Sequence, residues 1–303
     1  MSELWEISDL VVDYDPESLE RRAVKRSTVV STLRDNGQRW GARIASQIPA
    51  RDDVLDPVAV DHVLLRSHAE IQRLSEEFCQ DQRVWTLLGP LIECLRQRGV
   101  DPIRVVDIGC GLGYVVRRLA LDHSAPDIEW IGVDLNRTLV DAARQIARRE
   151  DLDCRFHHAN AFALDHQAHI FLSSGVIHHF RGDALRQFFA EQRSLEPHAF
   201  IHFDIQPSWA SPIGAFLFHR ARFREPLGQH DGYCSALRAH SGDVLLEAAG
   251  DPGGEFTTRL FDNQQGLLPI FRVMHAVVGV QSALDAPWRA SLGRIAGRLG
   301  ESR

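Results

Sequence analysis

The sequence predicts an α/β fold: a doubly wound, seven-stranded, mostly parallel sheet of the Rossmann-like type behind an N-terminal helical cap. From residue 103 onward, short β-rich runs alternate with longer helical patterns, as in βαβ units. A glycine-rich loop follows the first of these runs, at the strand end where open α/β sheets bind ligands. Before residue 100 there are no such runs, and helix-start signals recur at Asp15-Pro16 and Asp56-Pro57.

The strands are expected where apolar, β-branched residues cluster between turn signals. Seven runs meet this criterion, at 103–108, 129–134, 154–157, 169–173, 199–204, 255–261 and 271–280. Helical patterns separate the early pairs, at 114–123, 137–149 and 182–195, and a further one covers 242–249. This spacing predicts parallel neighbours joined by crossover helices.

Three regions follow from this pattern. Residues 1–80 are expected to form the helical cap, and residues 81–282 the ligand-binding core. An aromatic-rich segment at about 205–240 interrupts the core and is expected to contact substrate. Residues 283–303 are expected to form a helical tail.

Composition excludes several classes of protein. The 303 residues are 44% hydrophobic and 25% charged, which is typical of a globular chain. The net charge of −7 argues against nucleic acid as a partner. The acidic start has no signal-peptide pattern, and no apolar run approaches the roughly 18 residues of a membrane span. We therefore expect a cytoplasmic protein without a membrane span.

Single residue types exclude further chemistry. Lys25 is the only lysine among the 34 basic residues, and it lies outside any glycine-rich loop, so neither a pyridoxal site nor a P-loop is present. The five cysteines are scattered without a C-x-x-C pair, so we expect reduced thiols. Histidines at 157–158, 166 and 169 lack a matching carboxylate at helical spacing, and no metal centre is expected.

The glycine-rich loop at 109–113 lets the backbone approach a ligand closely. The dinucleotide fingerprint G-x-G-x-x-G would require glycine at position 114, where this chain has Tyr114. Asp107, two residues before the first glycine, would repel a pyrophosphate but attract a cation. Asp134 ends the second strand 21 residues beyond Gly113, where a carboxylate can accept both ribose hydroxyls. The pattern indicates a nucleoside and favours a cationic one.

Four segments occur in order: DIGCGLG at 107–113, GVD at 132–134, ANA at 159–161 and SGVIHHF at 174–180. Together they resemble the successive motifs of class I S-adenosylmethionine-dependent methyltransferases of the small-molecule type. The resemblance runs from about residue 80 to residue 275 and rests on the order and spacing of the motifs.

The resemblance implies a Rossmann-like methyltransferase core with S-adenosyl-L-methionine as its cofactor. It implies that Asp107 and the glycine loop hold the methionine part, Asp134 the ribose, and Asn160 with Ala161 the adenine. The family more often has aspartate at position 160, although an amide oxygen can still accept a hydrogen bond. The residues expected to bind the cofactor are Asp107, Gly109, Cys110, Gly111, Gly113, Asp134, Leu135, Asn160, Ala161 and Ser174.

A hydroxyl acceptor needs a base near neutrality, and histidine supplies one. His178 follows the fourth strand and is the favoured base, with Asp204 at the end of the fifth strand as a second candidate. His230, beside Asp231 in the interrupting segment, is a third. We expect methyl transfer to a small, partly apolar acceptor, through oxygen first and carbon next. The alternatives are an NAD-dependent oxidoreductase and a non-catalytic protein that binds an adenosyl cofactor; the sequence leaves the oligomeric state open.

Overall fold

The computed structural model describes residues 4–164, 167–251, 253–262, 274–293 and 301–302. Within these residues the helices are α1 Ile7–Val11, α2 Arg26–Asp35, α3 Arg39–Ala45, α4 Pro57–Glu77, α5 Gln80–Gln97, α6 Tyr114–Asp122, α7 Arg137–Arg149, α8 Asp183–Ser194, α9 Ser211–Arg222, α10 Pro226–Arg238, α11 Gly242–Ala249 and α12 Ser282–Leu292. The strands are β1 Asp13–Tyr14, β2 Arg21–Arg22, β3 Ala50–Arg51, β4 Val54–Leu55, β5 Ile103–Ile108, β6 Ile128–Asp134, β7 Arg155–His158, β8 Ile170–Ser174, β9 Ala199–Ile205, β10 Phe256–Phe261, β11 Met274–Gln281 and β12 Glu301–Ser302.

The chain divides into two compact units. One contains residues 1–74 and 207–238, and the other contains residues 75–206 and 239–303. The first unit is therefore built from two stretches that lie far apart in sequence, and these include most of the predicted cap and of the predicted insertion. That the first of them acts as a cap stays a prediction.

The second unit contains the predicted sheet. Its strands lie in the order β12-β10-β11-β9-β8-β5-β6-β7. The strands from β5 to β9 pair in parallel, whereas β10 and β11 are antiparallel. The α/β fold class and its seven strands are confirmed, although residues 271–273 of the last predicted strand lie outside the described residues.

The C-terminal prediction needs one correction. Helix α12 ends at Leu292, and Gly293 follows with a positive φ of 51°. Residues 301–302 do not continue a helix, because they form β12 and pair with Leu260 and Phe261 of β10. The sheet thus has a short eighth strand at its edge.

Two apolar layers of helices cover the sheet, so its strands are buried on both faces. On one side α5, α6, α7 and α12 pack against strand residues such as Val105. On the other side α8 and α11 pack against the residues that alternate with them, such as Val106 and Ile108. Side chains alternate along a strand, so Asp107 shares the face of Val105. The carboxylate is therefore on the α5 side of the sheet.

The other unit has its own core. Its centre contains Ile7, Val29, Leu33, Leu64 and Leu227, which come from both stretches of the chain. Two short hairpins, β1-β2 and β3-β4, connect its helices. In the part of the chain that the structure describes, no helix is long and apolar enough to cross a membrane.

Candidate functional site

The glycine loop between β5 and α6 has the backbone conformation that its sequence predicts. Gly109, Gly111 and Gly113 have φ values of 68°, 55° and 71°. A Cβ on Gly113 would lie 2.3 Å from a ring carbon of Phe156, and one on Gly109 would lie 2.6 Å from a methyl of Val176. Only glycine meets both conditions, positive φ and no side chain. The glycines therefore let the loop fold closely against Phe156 and Val176.

Asp107 is the buried acid of the site. Its side chain is 2% exposed, and its Oδ1 atom has no hydrogen-bond partner in the structure. Burial, and then the nearby charge of Asp134, raise the pKa of Asp107 well above its usual value. An unpartnered buried carboxyl of this kind calls for a donor or a cation from outside the chain.

Asp134 holds the loop together. Its Oδ2 accepts the N–H of Gly111 at 2.8 Å, and its Oδ1 accepts the N–H of Asn136 at 2.7 Å. A carboxylate has about four acceptor positions, so both oxygens can accept hydroxyl hydrogens as well. Leu135 is exposed, and its carbonyl lies 2.7 Å from Nε2 of His158. The predicted ribose position thus has the acceptors that a diol requires.

The adenine candidates lie in the turn after β7. The Oδ1 of Asn160 accepts the N–H of Phe162 at 3.0 Å, and the N–H of Ala159 donates to the carbonyl of Asp134 at 3.0 Å. These bonds tie the turn to the end of β6. Ala161 packs against the apolar layer on that face.

Two further predicted residues flank this region. Cys110 donates its backbone N–H to the carbonyl of Val133 at 3.0 Å, and burial raises the pKa of its thiol, with Asp134 and Asp107 adding to the effect. The thiol therefore stays protonated and packs in the loop. Ser174 is the last residue of β8, and Gly175 follows it with a φ of 70°.

His178 and Asp204 are brought together. Nδ1 of His178 lies 2.8 Å from Oδ1 of Asp204, and the N–H of His178 donates to Oδ2 at 2.8 Å. The N–H of Ile205 also donates to Oδ1, at 2.6 Å. Both side chains are buried, at 4% and 3% exposed. Burial disfavours the ionised carboxylate, but the charge and hydrogen bond of His178 and the two backbone donors outweigh it and lower the pKa of Asp204 to about 2.

Sequence reasoning missed His275. It is the second residue of the antiparallel strand β11 and pairs in register with Asp204, so its side chain is on the same face of the sheet. It is 1% exposed, and its Nε2 has no hydrogen-bond partner in the structure. Burial lowers the pKa of His275, which keeps the ring neutral. The sequence could have indicated this residue, because a strand that runs antiparallel to its neighbour begins at the edge of the sheet where that neighbour ends.

His230 lies in the other unit, on α10. Its Nδ1 is 2.8 Å from Oδ1 of Asp231, the next residue in the sequence. The ring is 2% exposed and packs edge-on against Trp40. A Cβ on Gly41 would lie 2.5 Å from its Nε2. This environment favours packing, and a catalytic role for His230 stays a prediction.

Two of the histidines that were weighed as metal ligands, His158 and His169, have other contacts. Nδ1 of His169 accepts the N–H of Arg104 at 2.9 Å, and His158 contacts the carbonyl of Leu135. His166 lies outside the described residues.

Comparison with known proteins finds a match to the part of the chain that contains the glycine loop and His178. Residues 105–197 match a family model described as a methyltransferase domain. No curated protein matches the sequence.

Several solved structures are similar in fold. A magnesium protoporphyrin IX methyltransferase from Synechocystis PCC 6803 with bound SAH is 14% identical over 85% of this chain and 99% of that chain, with a TM-score of 0.46. A SAM-dependent methyltransferase from Aquifex aeolicus is 13% identical over 65% and 92%, with a TM-score of 0.41. An S-adenosylmethionine-dependent methyltransferase from Clostridium acetobutylicum is 10% identical over 71% and 98%, with a TM-score of 0.46.

Proposed function

We propose that the protein transfers a methyl group from S-adenosylmethionine to a small, partly apolar acceptor, since residues 105–197 match a family model described as a methyltransferase domain. Oxygen is the favoured acceptor atom and carbon the next. The observation that carries the proposal is the buried pair of His178 and Asp204 at the carboxyl ends of β8 and β9.

The chain's residues fit the cofactor. When bound, S-adenosylmethionine supplies a methyl group on a sulfonium whose sulfur is itself the leaving group. The unpartnered Oδ1 of Asp107 suits an ammonium group, which would return the carboxyl to its ionised form. Asp134 offers acceptors for the ribose hydroxyls, and the lack of side chains at Gly109 and Gly113 lets Val176 and Phe156 pack directly against the loop that carries them.

His178 is proposed as the base. The low pKa of Asp204 keeps that carboxylate ionised, so it accepts, and Nδ1 of His178 must carry the proton it donates. With that proton on Nδ1, Nε2 is the ring nitrogen that can take up a proton from an acceptor. A base oriented by a buried carboxylate can remove the proton of an acceptor hydroxyl as that oxygen gains the methyl group, the C–S bond breaks and a neutral thioether leaves.

The surroundings of the 3-10 turn at Ile177–His179 support an apolar acceptor. Phe180 follows that turn, with its ring 5.0 Å from the ring of Phe162 and 4.8 Å from that of Phe188. Aromatic faces at the edge of a polar site bind planar, apolar ligands well. Phenols, hydroquinones and enolisable carbon acids match this combination.

Two measurements on the full chain test the proposal. Calorimetric titration with S-adenosylhomocysteine and with NAD should give binding for the first ligand only. Incubation with methyl-labelled S-adenosylmethionine and a panel of phenols, hydroquinones and enolisable carbon acids should then give a labelled product by mass spectrometry.

The outcomes separate the alternatives. Binding of NAD alone would favour the oxidoreductase and overturn the proposal. Binding of S-adenosylhomocysteine without a labelled product from any acceptor class would favour the non-catalytic binding protein.

A further inference from the structure

Gln80 is a buried amide whose side chain makes no hydrogen bond to the part of the chain that the structure describes. The residue is 2% exposed, and both polar atoms of its side chain, Nε2 and Oε1, have no hydrogen bond in the structure. An unsatisfied buried amide destabilises the native state, so a native protein that keeps one usually has a use for it. The mechanism described above does not involve this residue.

The position of Gln80 is set by helix α5. Gln80 begins the helix, and Val84, Leu87, Leu88 and Leu91 continue its buried stripe at helical spacing. This stripe packs in the same apolar layer as Val105 of β5. Gln80 therefore extends the sheet-facing stripe by one turn beyond Val84.

The direction of α5 brings this turn to the functional edge. The helix has 18 residues and is about 27 Å long, whereas the five residues from Arg98 to Pro102 span at most about 18 Å before β5 begins. The helix consequently runs back along β5 in the opposite direction. Its first turn lies toward the end of β5 that carries Asp107 and the glycine loop.

A direct contact supports this placement. The carboxylate of Asp81, the next residue after Gln80, accepts the hydroxyl of Tyr114 at 3.0 Å. Tyr114 is the first residue of α6 and follows Gly113 directly. The first turn of α5 thus touches the end of the glycine loop.

Two unpartnered polar groups therefore belong to the same face and the same edge of the sheet, the carboxyl of Asp107 and the amide of Gln80. We propose that the side-chain amide of Gln80 binds the amino-acid end of the cofactor: its Nε2–H donates to the α-carboxylate and its Oε1 accepts from the α-ammonium, which Asp107 also binds. An amide can fill both roles at once, since it carries donors and an acceptor. This inference rests on the proposed function, because it needs an adenosyl cofactor in the site.

The experiment compares two ligands that differ only at the proposed contact. S-adenosylhomocysteine carries the amino-acid group, and 5′-methylthioadenosine lacks it. Calorimetry on Gln80→Leu should show S-adenosylhomocysteine binding weakened by about 10-fold or more, since hydrogen bonds to charged groups are lost. Binding of 5′-methylthioadenosine should stay within about twofold of wild type. Gln80→Glu should weaken S-adenosylhomocysteine further, because a carboxylate would face the α-carboxylate.

Gln82→Leu is the matched control, because Gln82 is an exposed residue on the same helix. It should leave both affinities unchanged. Thermal unfolding of the ligand-free proteins gives a separate readout. Gln80→Leu should melt at or above the wild-type temperature, because it removes an unsatisfied amide from a buried position.

Three results would overturn the inference: unchanged affinity for S-adenosylhomocysteine in Gln80→Leu, equal losses for both ligands, or a lower melting temperature with the same affinity. A wild-type protein that binds neither ligand would instead overturn the proposed function itself.

Discussion

Nδ1 of His178 lies 2.8 Å from Oδ1 of Asp204, and the backbone N–H of the same histidine donates to Oδ2 at 2.8 Å. One carboxylate thus fixes both the ring and the turn that carries it. Because both residues are buried, these two contacts hold the ring in one orientation.

Asp204→Asn tests this pairing. The amide can present an N–H to Nδ1, which would move the ring proton to Nε2 and abolish its basicity toward the acceptor. We expect kcat for methyl transfer to a phenolic acceptor to fall about 10²-fold or more, with the affinity for S-adenosylhomocysteine within about twofold of wild type. Asp183→Asn, an exposed aspartate at the start of α8, should change neither value. A rate near wild type would exclude His178 as an oriented base.

Gly113→Ala tests the close approach in the glycine loop. Gly113 and Gly99 have nearly equal positive φ values, 71° and 76°, but only at Gly113 would the new Cβ clash, 2.3 Å from Phe156. Gly99→Ala therefore measures the conformational cost alone, about 1 kcal/mol. Gly113→Ala should lower the free energy of unfolding by roughly 1–3 kcal/mol more, measured by urea denaturation. Equal losses in the two variants would mean that the ring of Phe156 moves aside without cost.

Asp134→Ala should weaken binding of S-adenosylhomocysteine by about 10-fold or more, because the acceptors for the ribose are lost. It should also lower the melting temperature, since the N–H groups of Gly111 and Asn136 lose their acceptors. Asp141→Ala, on the half-exposed flank of α7, is the control for removing a carboxylate. Undiminished affinity would remove the ribose assignment.

The sheet could be predicted from the sequence because its strands are covered on both faces and read as apolar runs. The predicted strands at 103–108 and 199–204 differ from β5 and β9 by at most one residue. The glycine loop was equally accessible, because a residue without a Cβ leaves a local signature.

The contacts between side chains could not be predicted in the same way. His178 and Asp204 are 26 residues apart, and their distance depends on the register of β8 with β9 and on the turn at Gly175. The buried amide of Gln80 was missed because nothing local in the sequence says that a glutamine at a helix start is buried. Helix α9 was also missed, although Ser211 and Pro212 give it a proper start signal.

His230→Gln separates packing from catalysis. The ring contacts Trp40 and Asp231, and the carboxylate of Asp231 also accepts the N–H groups of Ile7 and Ser8 at 2.7 and 2.9 Å. We expect the variant to melt at a lower temperature, because a buried hydrogen bond and a ring contact are lost. Its kcat, measured below the melting transition, should stay within about threefold of wild type. If His230 were the catalytic base, kcat would fall about 10²-fold. A large loss of kcat at unchanged melting temperature would instead make His230 catalytic.

His202 predicts how the stability of the fold depends on pH. The side chain is fully buried, with Nδ1 at 2.8 Å from the hydroxyl of Ser173 and Nε2 at 2.8 Å from Oε1 of Gln192. An amide oxygen only accepts, so Nε2 carries the proton, and Nδ1 accepts from the serine. Burial lowers the pKa of His202 to about 3, and the charge of Asp204 offsets only part of the effect.

The unfolded chain binds a proton at His202 more readily than the native protein does. Between the unfolded pKa of about 6.5 and the folded pKa of about 3, the unfolded chain is protonated at this residue and the native protein is not. The free energy of unfolding therefore falls as the pH falls through this window, by up to about 1.4 kcal/mol per pH unit from this one histidine, and the residue contributes no slope above it. Urea denaturation between pH 7 and pH 5 should give a shallower decline for His202→Gln than for wild type, and His62→Gln, at an exposed position, should keep the wild-type slope. Parallel curves for all three proteins would mean that the native protein binds a proton at His202 as readily as the unfolded chain does.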